Sequence, residues 1–186
     1  VKVGASADGS MRGLSEPAVM AALKKGEAII TNGPFIEMAV APSGSPDAEV
    51  GPGGEVLAPD GRIVLKVTVK AAPWVDVSRV VVKRGGKGQG QRPELLDSFP
   101  IPPSQGLIRF RLTKIYTNIP DDSFLVVEVS GEKTMWPVFT PHEFASIQIS
   151  DAVGVIGGSF GFGNKYGKYR PSAVNQGRPY AFTNPI

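Results

Sequence analysis

The sequence has no cysteine and a single histidine, His142, among 186 residues. The first absence excludes disulfides and thiolate metal sites, without naming a compartment. The second leaves a hydrolytic metal centre short of its usual nitrogen ligands, because such a centre needs several N or O donors converging. No nucleophile motif accompanies His142, which reads as a surface or cap histidine. Long apolar runs are missing as well. No stretch of about 18 apolar residues occurs, so no membrane-spanning helix is expected. Heptads and solenoid repeats are absent. The glycine-rich run Gly85-Gly86-Lys87-Gly88-Gln89-Gly90 has no Gly-Lys-Ser/Thr ending and no helix pattern after it. It reads as a hairpin loop, not a phosphate loop.

What is abundant is glycine and proline, 23 and 17 residues, together about a fifth of the chain. That composition favours many short strands and turns over helices. Hydrophobic and charged contents of 41% and 20% are ordinary for a globular domain, and the length suffices for one good core, or one domain plus an arm. A start at Val1 and an end at Ile186 inside an apolar segment lead to the expectation of a piece cut from a longer protein. The net charge of +3 says little, but its distribution says more. Residues 27–61 hold six acids and no Lys or Arg, whereas residues 62–92 hold eight bases against Asp76. Neighbouring strands pairing opposite charges account for this pattern. A basic face for an anionic ligand is the functional alternative.

The strand signals are regular. Ile63, Leu65, Val67 and Val69 alternate with Lys66, Thr68 and Lys70, which puts one face in a core and one in water. Strands are also expected at 77–83, 95–99, 107–112 and 124–129, and a short one at 55–58. In the 107–112 strand, Ile108, Phe110 and Leu112 should point inward, and Arg109 and Arg111 outward. Ile63, Leu65, Val67, Val69, Phe110, Leu125 and Val127 should share one core. After about residue 139 the strand signals fade until Tyr180–Ile186. The fold class follows: mostly β, an antiparallel β-sandwich of immunoglobulin-like type with one short N-terminal helix.

That helix opens the stretch around which the chain is organised, Ala18 to Val40. Ser15 is a plausible N-cap, Pro17 suits a first turn, and Val19, Met20 and Leu23 share one face. Lys24 and Lys25 complement the helix dipole, and Gly26 stands where a left-handed cap wants glycine. Thr31-Asn32-Gly33-Pro34 is turn chemistry, and Phe35 to Val40 resumes a strand.

The sequence LKKGEAIITNGPFIEM resembles the segment after the catalytic barrel in PHP-type metallohydrolases (the polymerase and histidinol phosphatase superfamily), in the branch with an appended β-sandwich. Three further stretches agree. Lys2 to Ser10 resembles the last metal-binding motif of that barrel. Ala72-Pro73-Trp74-Val75-Asp76-Val77 is similar to the beginning of a strand in the appended domain, and Pro179 to Ile186 resembles its closing segment. The resemblance implies that residues 1–26 are an N-terminal arm and helix, the tail of such a barrel. Residues 27–186 are then the sandwich, with a long C-terminal loop. In the barrel motif Asp8 matches a metal-site acid, but Ser10 stands where a histidine belongs. The resemblance thus makes Asp8 a metal candidate, while the residues around it read as a turn.

These readings lead to an expected function: a non-catalytic accessory, structural or binding domain of a PHP-like protein, with no cofactor. The alternative is a part of a metal-dependent phosphoesterase-type hydrolase whose active site another segment or chain completes. Expected partners are a PHP-like catalytic barrel and a glycan or protein ligand, with nucleic acid not expected. Binding residues are sought in the run from Gly157 to Tyr169. There Phe160, Phe162, Tyr166 and Tyr169, with Lys165 and Arg170 beside them, offer ring faces and cations for stacking. The competing reading is that these rings pack on the sandwich.

Overall fold

The first regular element is set by its cap. The computed structural model describes residues 15–86, 93–120, 122–135 and 177–186, with the backbone of two short strands at 142–145 and 171–175. Ser15 accepts a hydrogen bond from the Ala18 amide at 3.4 Å and starts helix α1 (Glu16–Lys24). Gly26 ends it at φ +77°, the left-handed conformation expected there. The buried side of α1 differs from the expected one. Ala18, Val19 and Ala22 pack inward, while Met20 and Leu23 are exposed. The one residue of α1 that is buried is the small Ala22, so the one, four spacing of the larger residues does not mark the buried side.

Two compact units follow from the contacts: Val1–Lys133 with Arg178–Ile186, and Thr134–Gly177. The first unit carries β1 (Ile29–Thr31), β2 (Phe35–Pro42), β3 (Ile63–Lys70), β4 (Arg79–Gly86), β5 (Glu94–Pro100), β6 (Ile108–Tyr116) and β7 (Ser123–Ser130). In the second, β8 (His142–Ala145) pairs antiparallel with β9 (Pro171–Asn175), with His142 opposite Asn175. The chain then returns to the first unit for β10 (Tyr180–Thr183). No strand forms at 55–58, where Pro52, Gly53, Gly54 and Pro59 crowd a short apolar run.

The strands make two antiparallel sheets, β1-β10-β7-β4-β5 and β2-β3-β6. The chain changes between these two sheets four times, after β1, β3, β5 and β6. This is the immunoglobulin-like path, with consecutive strands dealt between facing sheets. The inner faces are the alternating residues of the sequence pattern. Leu65, Val67 and Val69 of β3, Val80 and Val82 of β4, and Leu125, Val127 and Val129 of β7 are buried. Thr183 crosses between the sheets, where its hydroxyl meets Met38 Sδ at 3.4 Å and accepts from the Val127 amide at 3.1 Å.

One strand departs from its expected register. Phe110 and Leu112 face inward but are only half-buried, Ile108 is exposed, and Arg109 is buried. The β3–β6 ladder pairs Val69 with Phe110 and then Lys70 with Ile108, so Arg109 is the extra residue of an irregularity. One added residue reverses the faces on its far side.

The acid-rich and base-rich segments meet as expected of paired strands. Lys66 bridges Glu49, and Lys70 reaches Glu37 on the neighbouring strand at 2.5 Å. Arg84 pairs with Glu94, and Lys83 with Glu128 at 2.7 Å.

Candidate functional site

The sandwich gathers four connections at one end: 32–34, 71–78, 101–107, and the one that leaves after Ser130 and returns before Tyr180. In immunoglobulin-like folds the loops clustered at one end are where binding is placed. Here the 71–78 connection is held from two sides. Arg109 Nη2 donates to Ala72 O at 2.6 Å and to Val75 O at 3.3 Å. Arg109 Nε is buried without a partner, so the two bonds of Nη2 are what the burial of this cation gains. From the other side, Asp76 Oδ2 accepts from the Glu132 amide at 2.7 Å and the Lys133 amide at 3.1 Å. Gly131 permits this closeness, because a Cβ there would lie 2.3 Å from Asp76 O. Val75 and Val77 are buried.

Between these anchors Trp74 is 54% exposed. A large aromatic ring on a fixed turn loses little conformational entropy on binding, which is what suits Trp to interface anchors. Other apolar side chains are exposed at the same end of the sandwich. The Ala71 amide donates to Leu107 O at 2.9 Å, which brings the exposed Leu107 beside the start of the turn. Phe35, Lys70 and Ile108 are side by side in β2, β3 and β6, and both Phe35 and Ile108 are exposed.

A second polar cluster closes the open side of the sandwich, between edge strands β5 and β6. Lys114 Nζ lies 2.9 Å from Asp97 Oδ2, and the Tyr116 hydroxyl donates to the same oxygen. The ammonium also sits 5.3 Å from the Tyr116 ring centroid, and Phe99 contacts Phe110 at 5.3 Å. Burial pushes the Asp97 carboxyl up, but the Tyr116 hydroxyl and the Lys114 ammonium outweigh it and hold the group below its usual 3.8. Burial first, then the hydrogen bond and charge of Asp97, raise the Tyr116 phenol well above 10.0. These groups satisfy one another, and the cluster reads as an edge clamp.

At the opposite end an open groove of about 740 Å³ lies between residues 54–59, Ile119 and Ile186. Its side chains are mostly apolar, with Glu55, Asp122 and Ser123 as polar members.

No known protein family, characterised protein or solved structure matches this chain.

The residues singled out in the sequence, Asp8, Phe160, Phe162, Lys165, Tyr166, Tyr169 and Arg170, lie outside the described residues. Among the described residues no three His, Asp or Glu side chains group as metal ligands would. The surface around Trp74 was missed in the sequence. Its one signal there is a tryptophan directly after Pro73, in the connection between two clear strands. A ring in a turn has no core face to join, so exposure was the simpler inference.

Proposed function

We propose that this chain is a non-catalytic accessory domain that binds a partner protein or glycan through the end of the sandwich that displays Trp74. The observation that carries the reading is the anchoring of that turn. A buried arginine and an aspartate spend their hydrogen bonds holding a connection whose largest side chain faces water. Were the turn only a link between β3 and β4, no exposed indole would be needed, and exposed apolar rings lower solubility.

The proposal extends to the family. The two motif stretches that carry the resemblance to PHP-associated sandwiches are neighbours in the fold. Asn32 Nδ2 donates to Arg178 O at 2.8 Å, and the Tyr180 amide donates to Asn32 Oδ1 at 2.6 Å. Asn184 Nδ2 donates to Gly26 O at 2.9 Å. The asparagines of both motifs therefore join the first strand to the last. That role fits a motif pair that marks a domain of one architecture, and it assigns no chemistry to them. Residues encoded upstream of Val1 test the family. A barrel-like segment with degenerate metal motifs, in line with Ser10 in place of a histidine, is expected there. Several intact histidine-rich motifs favour the catalytic alternative, and a parent without any barrel-like segment removes this half of the proposal.

The binding half is tested with Trp74→Ala. An exposed indole removed from a surface should change stability by less than about 0.5 kcal/mol. Loss of an interface anchor should weaken binding by about 2 kcal/mol or more, roughly 30-fold. Wild type and variant are screened against glycan and peptide arrays, with melting curves in parallel. Equal binding by both, or a variant that melts like a core substitution, ends the proposal.

A further inference from the structure

The outward side of the five-stranded sheet is the second surface without a solvent pattern. An antiparallel sheet with one face on the core ordinarily turns polar residues to water on the other. Here the cross-strand register instead sets Ile30, Phe182, Glu128 and Val81 in one row across β1, β10, β7 and β4. On one side of this row stand Tyr180, Ser130 and Arg79, and on the other Lys83, Val126 and Leu95. Phe124 lies over Gly85, where a Cβ would meet its ring at 2.2 Å. Ile30, Leu95, Phe124 and Tyr180 are exposed, and Ile30 is 56% so. In the middle of the face Lys83 Nζ donates to both Glu128 oxygens at 2.7 Å.

We infer that this face is the contact between two copies of the chain. The charges select the occupant. The centre of the face carries one cation and one anion side by side among apolar neighbours, and the exposed Arg79 stands two residues along β4 from Val81, in the row of Tyr180. A two-fold axis in the interface, crossing the line from Lys83 to Glu128 at its midpoint, sets Lys83 over Glu128 of the partner subunit, and the reverse. An isologous pair is self-complementary in this way, whereas an unrelated apolar partner leaves the central ion pair desolvated without a counterpart. The dimensions agree. Four strand spacings of about 4.8 Å by eight residues at about 3.3 Å make a face of roughly 500 Å². Two copies then cover about 1,000 Å² between them, the size at which specific interfaces begin. This is a different surface from the Trp74 turn, and it stands or falls independently of it.

Sedimentation of the 186-residue chain tests the inference. Wild type is expected to be dimeric at its highest soluble concentration. Lys83→Glu makes both central charges anionic, and Glu128→Lys makes both cationic, so each variant alone should associate at least tenfold more weakly. Mixed in equal amounts, the two should form a heterodimer, which is a result that damage to the fold does not produce. Ile30→Lys, at an exposed position of an edge strand, should dissociate the dimer with the circular dichroism spectrum unchanged, and it carries the test if a charge variant fails to fold. A monomeric wild type, variants that dimerise as the wild type does, or folded variants that do not pair on mixing overturn the inference.

Discussion

At the scale of residues, the edge clamp shows how a lysine comes to point into a sandwich. Lys114 shares the inward side of β6 with Phe110, Leu112 and Tyr116, and its side chain is 41% exposed because the core thins out at this edge. Asp97 answers it from β5. Asp97→Asn leaves the ammonium with a neutral acceptor. The expected cost is about 1–2 kcal/mol at neutral pH, below the range for fully buried pairs because water screens this one. The pH dependence follows in sign. The folded carboxyl titrates below its usual 3.8, so its contribution is complete above that value and is lost as pH falls through the lowered one. The folded Tyr116 phenol titrates above 10.0, so stability falls as pH rises past 10.0. Asp97→Asn should flatten both the acid and the alkaline limb of a urea-melt series. Unchanged limbs would show that the clamp contributes nothing. Little of this was legible beforehand. Alternation placed Phe110 and Leu112 correctly, but Ile108 and Arg109 exchange roles because the Val69–Lys70 irregularity inserts one residue. A bulge leaves no trace in hydrophobic periodicity. It depends on the partner strand, and Arg109 is drawn in by carbonyls of a turn that β6 does not contain.

At the scale of elements, strict alternation carried the reading. β3 is the central strand of its sheet, and Leu65, fully buried there, pairs in register with Val40 and Lys114. Leu65→Ala should cost about 2–5 kcal/mol, by lost transfer free energy plus a cavity the close-packed neighbours cannot fill. Leu57→Ala provides the contrast, since Leu57 is 87% exposed on the groove at the far end and should change stability by less than about 0.5 kcal/mol. Equal denaturation midpoints for the two variants would mean that the core is not where the alternation puts it. The strands of the two main sheets were readable because one face of each must be buried, and a period of two survives any tertiary arrangement. The helix was readable at its ends and not on its sides. Caps are local, fixed by Ser15 and Gly26 alone. Which side packs depends on what the helix meets, and the size of Met20 and Leu23 carries no information about that. The pair β8–β9 has too few residues to show a period at all.

At the scale of the whole molecule, the second unit interrupts one strand connection of the first. The interruption is closed at its base. The Gly131 amide donates to Pro179 O at 2.9 Å, and Ser130 then pairs with Tyr180 in the β7–β10 ladder. The Met135 amide donates to Gly177 O at 2.9 Å, so the second unit is tied across its own two ends. Asp76 holds the Glu132 and Lys133 amides on the first unit, without using any residue beyond them. Among the described residues, the bonds from Gly131, Glu132 and Lys133 at this base all run to residues of the first unit. Deleting 134–177 and joining Lys133 to Arg178 through a short glycine-containing turn should leave a folded sandwich. A connection roughly tenfold shorter also recovers about 2 kcal/mol of loop-closure entropy, since that cost grows only with the logarithm of length. The shortened chain should unfold in a single cooperative transition at a midpoint no lower than that of the full chain. It should also keep amide-exchange protection at Val80, Val82, Val127 and Val129, which are fully buried in β4 and β7. A collapsed species without that protection would show that the inserted unit is needed to complete the core.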